Sequence, residues 1–182
     1  EYATLWNTMR IYPSSAPAVD RIVRAAIEHK ARYLAVAGQA AVPWEFIAAV
    51  HSLESSQRFD RHLHNGDPLS ARTQQHPAGR PRHGSPPFTW EESAIDALTM
   101  PPHSLHLVKQ WPVERYLYEL ERYNGWGYRL WHPSTLSPYL WSFSTLYVKG
   151  KFVADRVFDA EAVSKQSGAG VILKAAKARG LG

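Results

Sequence analysis

Cysteine is absent from this 182-residue chain, so no disulfide braces it and its core does not depend on redox compartment. No apolar run approaches the length of a membrane span, which argues against membrane insertion. No internal repeat is visible. The one biased stretch is 76–88, where Pro77, Gly79, Pro81, Gly84, Pro86 and Pro87 forbid regular structure. The opening residues Glu1-Tyr2-Ala3 carry no signal-peptide pattern and no initial Met. A processed or trimmed chain is expected, with its export route not visible.

What is present describes a globular protein. Hydrophobic residues make up 45% of the chain, with seven tryptophans and nine tyrosines, enough for a core without metal or disulfide staples. A single domain over residues 1–182 is expected. The net charge of +5 suits polyanionic partners such as cell wall, nucleic acid or anionic membrane. The basic residues are spread along the chain, and the densest group is Arg80-Pro81-Arg82-His83. A mildly basic solvated surface accounts for that distribution equally well.

Periodicity supplies the elements. Residues 18–37 read as one amphipathic helix, with Val19, Ile22, Val23, Ala26, Ile27 and Leu34 on one side, Pro17 at its start and Gly38 at its end. Thr89-Trp90-Glu91-Glu92 is a capping box that opens a helix ending near Thr99 and gives Glu92 a structural task. Pro112 opens another, with Val113, Tyr116, Leu117, Leu120 and Tyr123-Asn124 on one face and Gly125 and Gly127 stopping it. Asp159 is expected to cap a last helix running through Lys177. The whole reads as mainly helical α+β, with a small hairpin between helices.

Chemistry concentrates after Pro43. From there Ile47, Val50, His51 and Glu54 fall at i, i+3, i+4 and i+7, so a carboxyl group ends the stripe that faces the interior. Burial disfavours the charged form, and such a group can hold a proton near neutral pH. That is the general acid glycoside cleavage requires. Downstream, Asn65-Gly66 is the signal of a two-residue hairpin turn, pairing His64 with Asp67 and His62 with Leu69, on an edge because Pro68 lacks a donor. Two-carboxylate hydrolysis needs a second acid across the scissile bond. Asp67 is the first candidate and Asp60 the runner-up. Residues 126–148 bring Trp126, Tyr128, Trp131, Tyr139, Trp141, Phe143 and Tyr147, most of them core fillers and two or three able to stack on sugar faces.

The helix ending in Glu54-Ser55-Ser56, followed by a hairpin, resembles the lysozyme-like superfamily of peptidoglycan-cleaving enzymes: goose-type lysozymes, lytic transglycosylases and phage lysozymes. Glu54-Ser55 matches the glutamate–serine pair of the transglycosylases. Tyr123-Asn124-Gly125 matches their later helix motif in part, without its usual preceding alanine. Asp67 and Thr73 have the six-residue spacing of the phage enzymes, although the gap from Glu54 is longer here. The stretch from Pro43 to Lys174 is also similar to uncharacterised lysozyme-like proteins through the segments at 64–69, 86–94 and 137–141.

The resemblance implies a lysozyme-like fold and cleavage of the β-1,4 bond between N-acetylmuramic acid and N-acetylglucosamine. Glu54 would be the acid, Asp67 the base or stabiliser, and Thr73 a holder of water. Ser55, His64, Tyr123, Asn124, Tyr139 and Trp141 would contact peptidoglycan glycan strands. A monomer acting on the cell wall, periplasmic or extracellular, is expected, with no cofactor, no metal, no nucleic acid and no membrane insertion. A lytic transglycosylase or a chitinase would use the same glutamate. Two other classes compete: a metal site at His62, His64 and Asp67, which lacks a His-Glu-x-x-His motif, and a non-enzymatic binder of glycans or polyanions.

Overall fold

The computed structural model describes residues 1–180. Its helices are α1 (Tyr2–Thr8), α2 (Ala16–Glu28), α3 (Lys30–Ala40), α4 (Trp44–Ser55), α5 (Trp90–Thr99), α6 (Val113–Asn124), α7 (Gly127–Trp131), α8 (Pro138–Trp141) and α9 (Ala169–Ala178). An antiparallel pair, β1 (Lys151–Ala154) and β2 (Val157–Asp159), forms a two-stranded sheet. The class is thus mainly helical α+β, as the sequence pattern indicates. The chain divides into two compact units: a central one, Ala25–Trp111, and a terminal one made of Glu1–Arg24 with the residues from Pro112 onward.

In the central unit α3 packs on both α4 and α5. The expected single helix over 18–37 is two helices broken at His29 (φ −103°, ψ 14°). No proline or glycine forces the break; the His29 ring instead meets Phe59 edge-on at 4.8 Å. The break re-aims the second segment, so Tyr33, Val36 and Ala40 are buried while Leu34 is 48% exposed. Gly38 lies inside α3 rather than ending it, and Ala41 turns the chain in the left-handed region (φ 53°). Phe46 through His51 of α4 are all buried. The helix is therefore enclosed on every side over those turns and carries no single interior stripe. On α5 the Thr89–Glu92 capping box is complete, with both reciprocal bonds made. Arg32 of α3 holds Glu91 of α5 through two nitrogens at 2.6 and 2.9 Å and lies 4.1 Å over the Phe59 ring.

In the terminal unit α6 packs on α1, α8 and α9, and buries Tyr116, Leu117 and Leu120 as the periodicity predicts. Two glutamates on α6 are buried as well, each with arginine. Glu119 pairs with Arg115 and Arg122, and Glu121 with Arg129 and the Tyr2 hydroxyl. Such charges persist inside a fold only when paired in this way. Gly127 does not stop helical structure but opens α7.

The last helix does not start at Asp159. That residue ends β2, and its carboxylate accepts from the Glu161 and Ala162 amides at 2.8 and 3.2 Å. Helix α9 begins at Ala169, after Gly168. The β1–β2 pair is the sheet the sequence reading missed. It turns at Arg156 (φ 56°) and sets Phe152 opposite Phe158, against Tyr128 and a His132 ring stacked on Phe158 at 3.6 Å.

Candidate active site

Glu54 sits in the last turn of α4 and is half-buried. The chain leaves this helix through two successive left-handed residues, Ser56 (φ 52°) and Gln57 (φ 59°), whose amides both return to the His51 carbonyl. Non-glycine residues held in that region store strain, and such strain tends to collect at functional sites. Ser55 is buried, and its hydroxyl oxygen has no hydrogen-bond partner. That oxygen is also closed to solvent, so the structure leaves it an inward-facing polar group and not the open substrate contact expected of it.

One turn below, His51 is neutral by its surroundings. Its Nδ1 accepts from the Tyr33 hydroxyl at 2.9 Å and its Nε2 donates to the Arg58 carbonyl at 3.1 Å. Burial, with Arg32 and His29 nearby, lowers its pKa from 6.5 to about 4. Because the unfolded chain takes the proton first, stability is full above about pH 6.5 and drains away as pH falls toward 4. Between pH 7 and pH 5 the expected loss from this group is roughly 2 kcal/mol. Urea unfolding followed by tryptophan fluorescence at the two pH values measures it, and His51→Gln should shrink the difference by that amount.

The segment after α4 forms a turn in a different register from the expected hairpin. The His62 amide donates to the Asp67 carbonyl at 2.7 Å, the Gly66 amide returns to the His62 carbonyl at 2.9 Å, and Arg61 bridges Pro68. The loop is therefore four residues, 63–66, and His64 does not pair with Asp67. A two-residue turn of the expected type needs positive φ at both Asn65 and Gly66; only Gly66 has it, at 79°. Asn65 instead accepts the Asp67 amide at 3.0 Å through its side chain. Gly66 lies directly on the end of α4: a Cβ there would stand 3.1 Å from the Glu54 carbonyl oxygen. The turn and the glutamate are thus in backbone contact.

Asp67 is buried, and its Oδ2 accepts the Gln74 and Gln75 amides at 2.8 and 3.0 Å. Those bonds outweigh the cost of burial and hold its carboxyl below the usual range, so it is ionised at neutral pH. Asp60 is exposed and paired with Arg58 at 2.7 Å. Thr73 closes the following loop: its hydroxyl donates to Pro77 at 2.5 Å and accepts from the Arg80 amide at 2.9 Å. Its one proton is committed to the backbone, so the expected role in holding water is not what its geometry provides.

His64, expected at the substrate, has a fully buried side chain. It donates through Nε2 to Asp96 at 2.7 Å, and Asp96 also takes a bidentate bond from Arg80 at 2.8 and 2.7 Å. His62 sits between Ser93 and the Ala71 carbonyl, each at 2.8 Å. Every nitrogen of the two rings thus has a protein partner, which leaves none for the metal reading. Among the described residues no group of three His, Asp or Glu is placed to hold a metal ion. Ser93, Asp96 and Arg80 were missed in the sequence; the burial of Arg80 had no local signal because it lies within the proline-rich stretch.

The remaining candidates belong to the terminal unit. Tyr123 is half-buried and Asn124 exposed at the end of α6. Tyr139 is buried, and Trp141 at 1% exposure offers no ring face for a sugar, because α8 inserts both into the core. The aromatic that does stand out is Trp131, 58% exposed. A small cleft of about 110 Å³ lies in this unit, near Glu121, Tyr128, Arg129 and Ser137. No protein-family model, curated protein or solved structure matches the chain.

Proposed function

We propose that this protein is a lysozyme-like glycosidase that cleaves the β-1,4 linkage between N-acetylmuramic acid and N-acetylglucosamine in peptidoglycan. The observation that carries the reading is the half-buried Glu54 at the end of an enclosed helix, with the turn at Gly66 seated on its backbone. The carbonyl end of a helix and partial burial both disfavour an anion, and so favour the protonated acid. That proton passes to the departing glycosidic oxygen. The ionised Asp67 on the adjoining turn supplies negative charge toward an oxocarbenium-like centre. The net charge of +5 favours approach to an anionic wall.

One observation favours a second reading, lytic transglycosylation by Glu54 alone. Asp67 already spends one oxygen on two backbone amides, as a loop clamp would. Mass spectrometry of wall digests separates the two. Hydrolysis adds water and leaves reducing ends, and Asp67→Asn should then lower the rate sharply. Transglycosylation leaves anhydro ends and tolerates that change. Intact glycan strands after prolonged digestion would remove both.

A further inference from the structure

The hydrogen-bond geometry around Ser93 fixes where protons sit. Asp96 and the Ala71 carbonyl can only accept, so Nε2 of both His64 and His62 carries hydrogen. The Ser93 oxygen faces three neighbours: the Leu63 amide at 3.1 Å, His62 Nδ1 at 2.8 Å and His64 Nδ1 at 3.3 Å. A hydroxyl donates once and accepts twice. The Leu63 amide takes one acceptor position. If both Nδ1 atoms were bare, one hydroxyl proton would have to serve two acceptors. The set closes when Ser93 donates to the nearer His62 and accepts from His64.

We propose that His64 is held as an imidazolium and His62 as the neutral Nε2–H form, and that this pair is a pH-sensitive clamp positioning the 62–67 turn on the end of α4. His64 then lies between Asp96 and Ser93, and Asp96 is shared with Arg80, so the charges alternate and each is hydrogen-bonded. The groups facing His62 are His64 and Asp67 from the turn, Asp96 from α5 and the Phe88 ring at 5.8 Å. A second proton on the pair would place two imidazoliums 5.6 Å apart in a buried site. It would also turn His62 Nδ1 into a donor toward a hydroxyl whose acceptor positions are full. Burial already holds His62 below its ordinary pKa, so acid and not base loads this proton. Protonation of His62 therefore releases Leu63 through Asp67 from Ser93 and lifts Gly66 from the Glu54 carbonyl. This clamp stands whatever the chain cuts; only its consequence for activity, loss of the site below the His62 transition, rests on the glycosidase reading.

The test is long-range ¹⁵N–¹H correlation on the full chain labelled at histidine, from pH 8 to pH 4.5, with amide exchange read in parallel. At pH 7 His64 should show two protonated ring nitrogens and His62 one bare Nδ1. As His62 gains its proton, exchange at Leu63 and Gly66 should rise tenfold or more. Ser93→Ala should open the turn at pH 7 without change in α6 protection. If that variant fails to fold, the wild-type titration still decides. A neutral His64 at pH 7, or turn amides that stay protected once His62 is charged, would overturn the clamp. Wall cleavage is assayed separately, so an inactive protein with a working clamp remains distinguishable from a failed clamp.

Discussion

Gly168→Ala should destabilise the protein by about 3 kcal/mol or more, at the upper end of what overpacking costs. The reason is contact rather than conformation, since φ −68° and ψ 148° suit any residue. A Cβ at 168 would enter the backbone of α8, falling on the Leu140 carbonyl and 2.6 Å from the Trp141 nitrogen. No side chain can swing aside to relieve this, because the opposing atoms are main chain. The Gly168 amide also bonds the Ser142 carbonyl at 2.9 Å, so retreat breaks a bond. Two residues on, a Cβ at Gly170 would also meet Leu140, at 3.0 Å, so α9 and α8 are in contact through glycine twice. The melting temperature should drop by roughly 6–12 °C in a chain of this size. Gly38→Ala is the internal control: nothing lies within 4 Å of a Cβ there. Within a helix that change should be neutral or stabilise by up to about 1 kcal/mol.

Local signals were readable where local forces decide. The capping box at Thr89–Glu92, the start of α6 after Pro112 and the glutamate closing α4 all depend on neighbours within one or two turns. Elements set by distant partners were not readable. The break at His29 answers to Phe59, thirty residues away, and no breaker marks it. The four-residue turn at 63–66 overrides the Asn-Gly preference because Ser93 and Asp96 draw His62 and His64 inward. The late start of α9 answers to the close approach of Gly168 to α8.

The candidate site was legible to the same degree. The helix pattern singles out Glu54 and the resemblance adds Ser55; the structure places both in the last turn of α4. Asp67 was found, but as a possible catalyst; its two amide bonds also make it a loop anchor. His64 was found for the wrong reason. A histidine on a polar turn reads as exposed, and only the fold shows Asp96 and Arg80 waiting for it.

The most direct test of the account is loss of turbidity of chloroform-permeabilised Gram-negative cells, or of purified wall, with wild type against Glu54→Gln. Glutamine keeps the shape of glutamate and removes the transferable proton. A positioned acid contributes about 10²–10⁴ to such a rate, so the variant should fall at least a hundredfold while its melting temperature holds. Cleavage by Glu54→Gln at the wild-type rate would contradict the assignment of the acid, and with it the proposed activity.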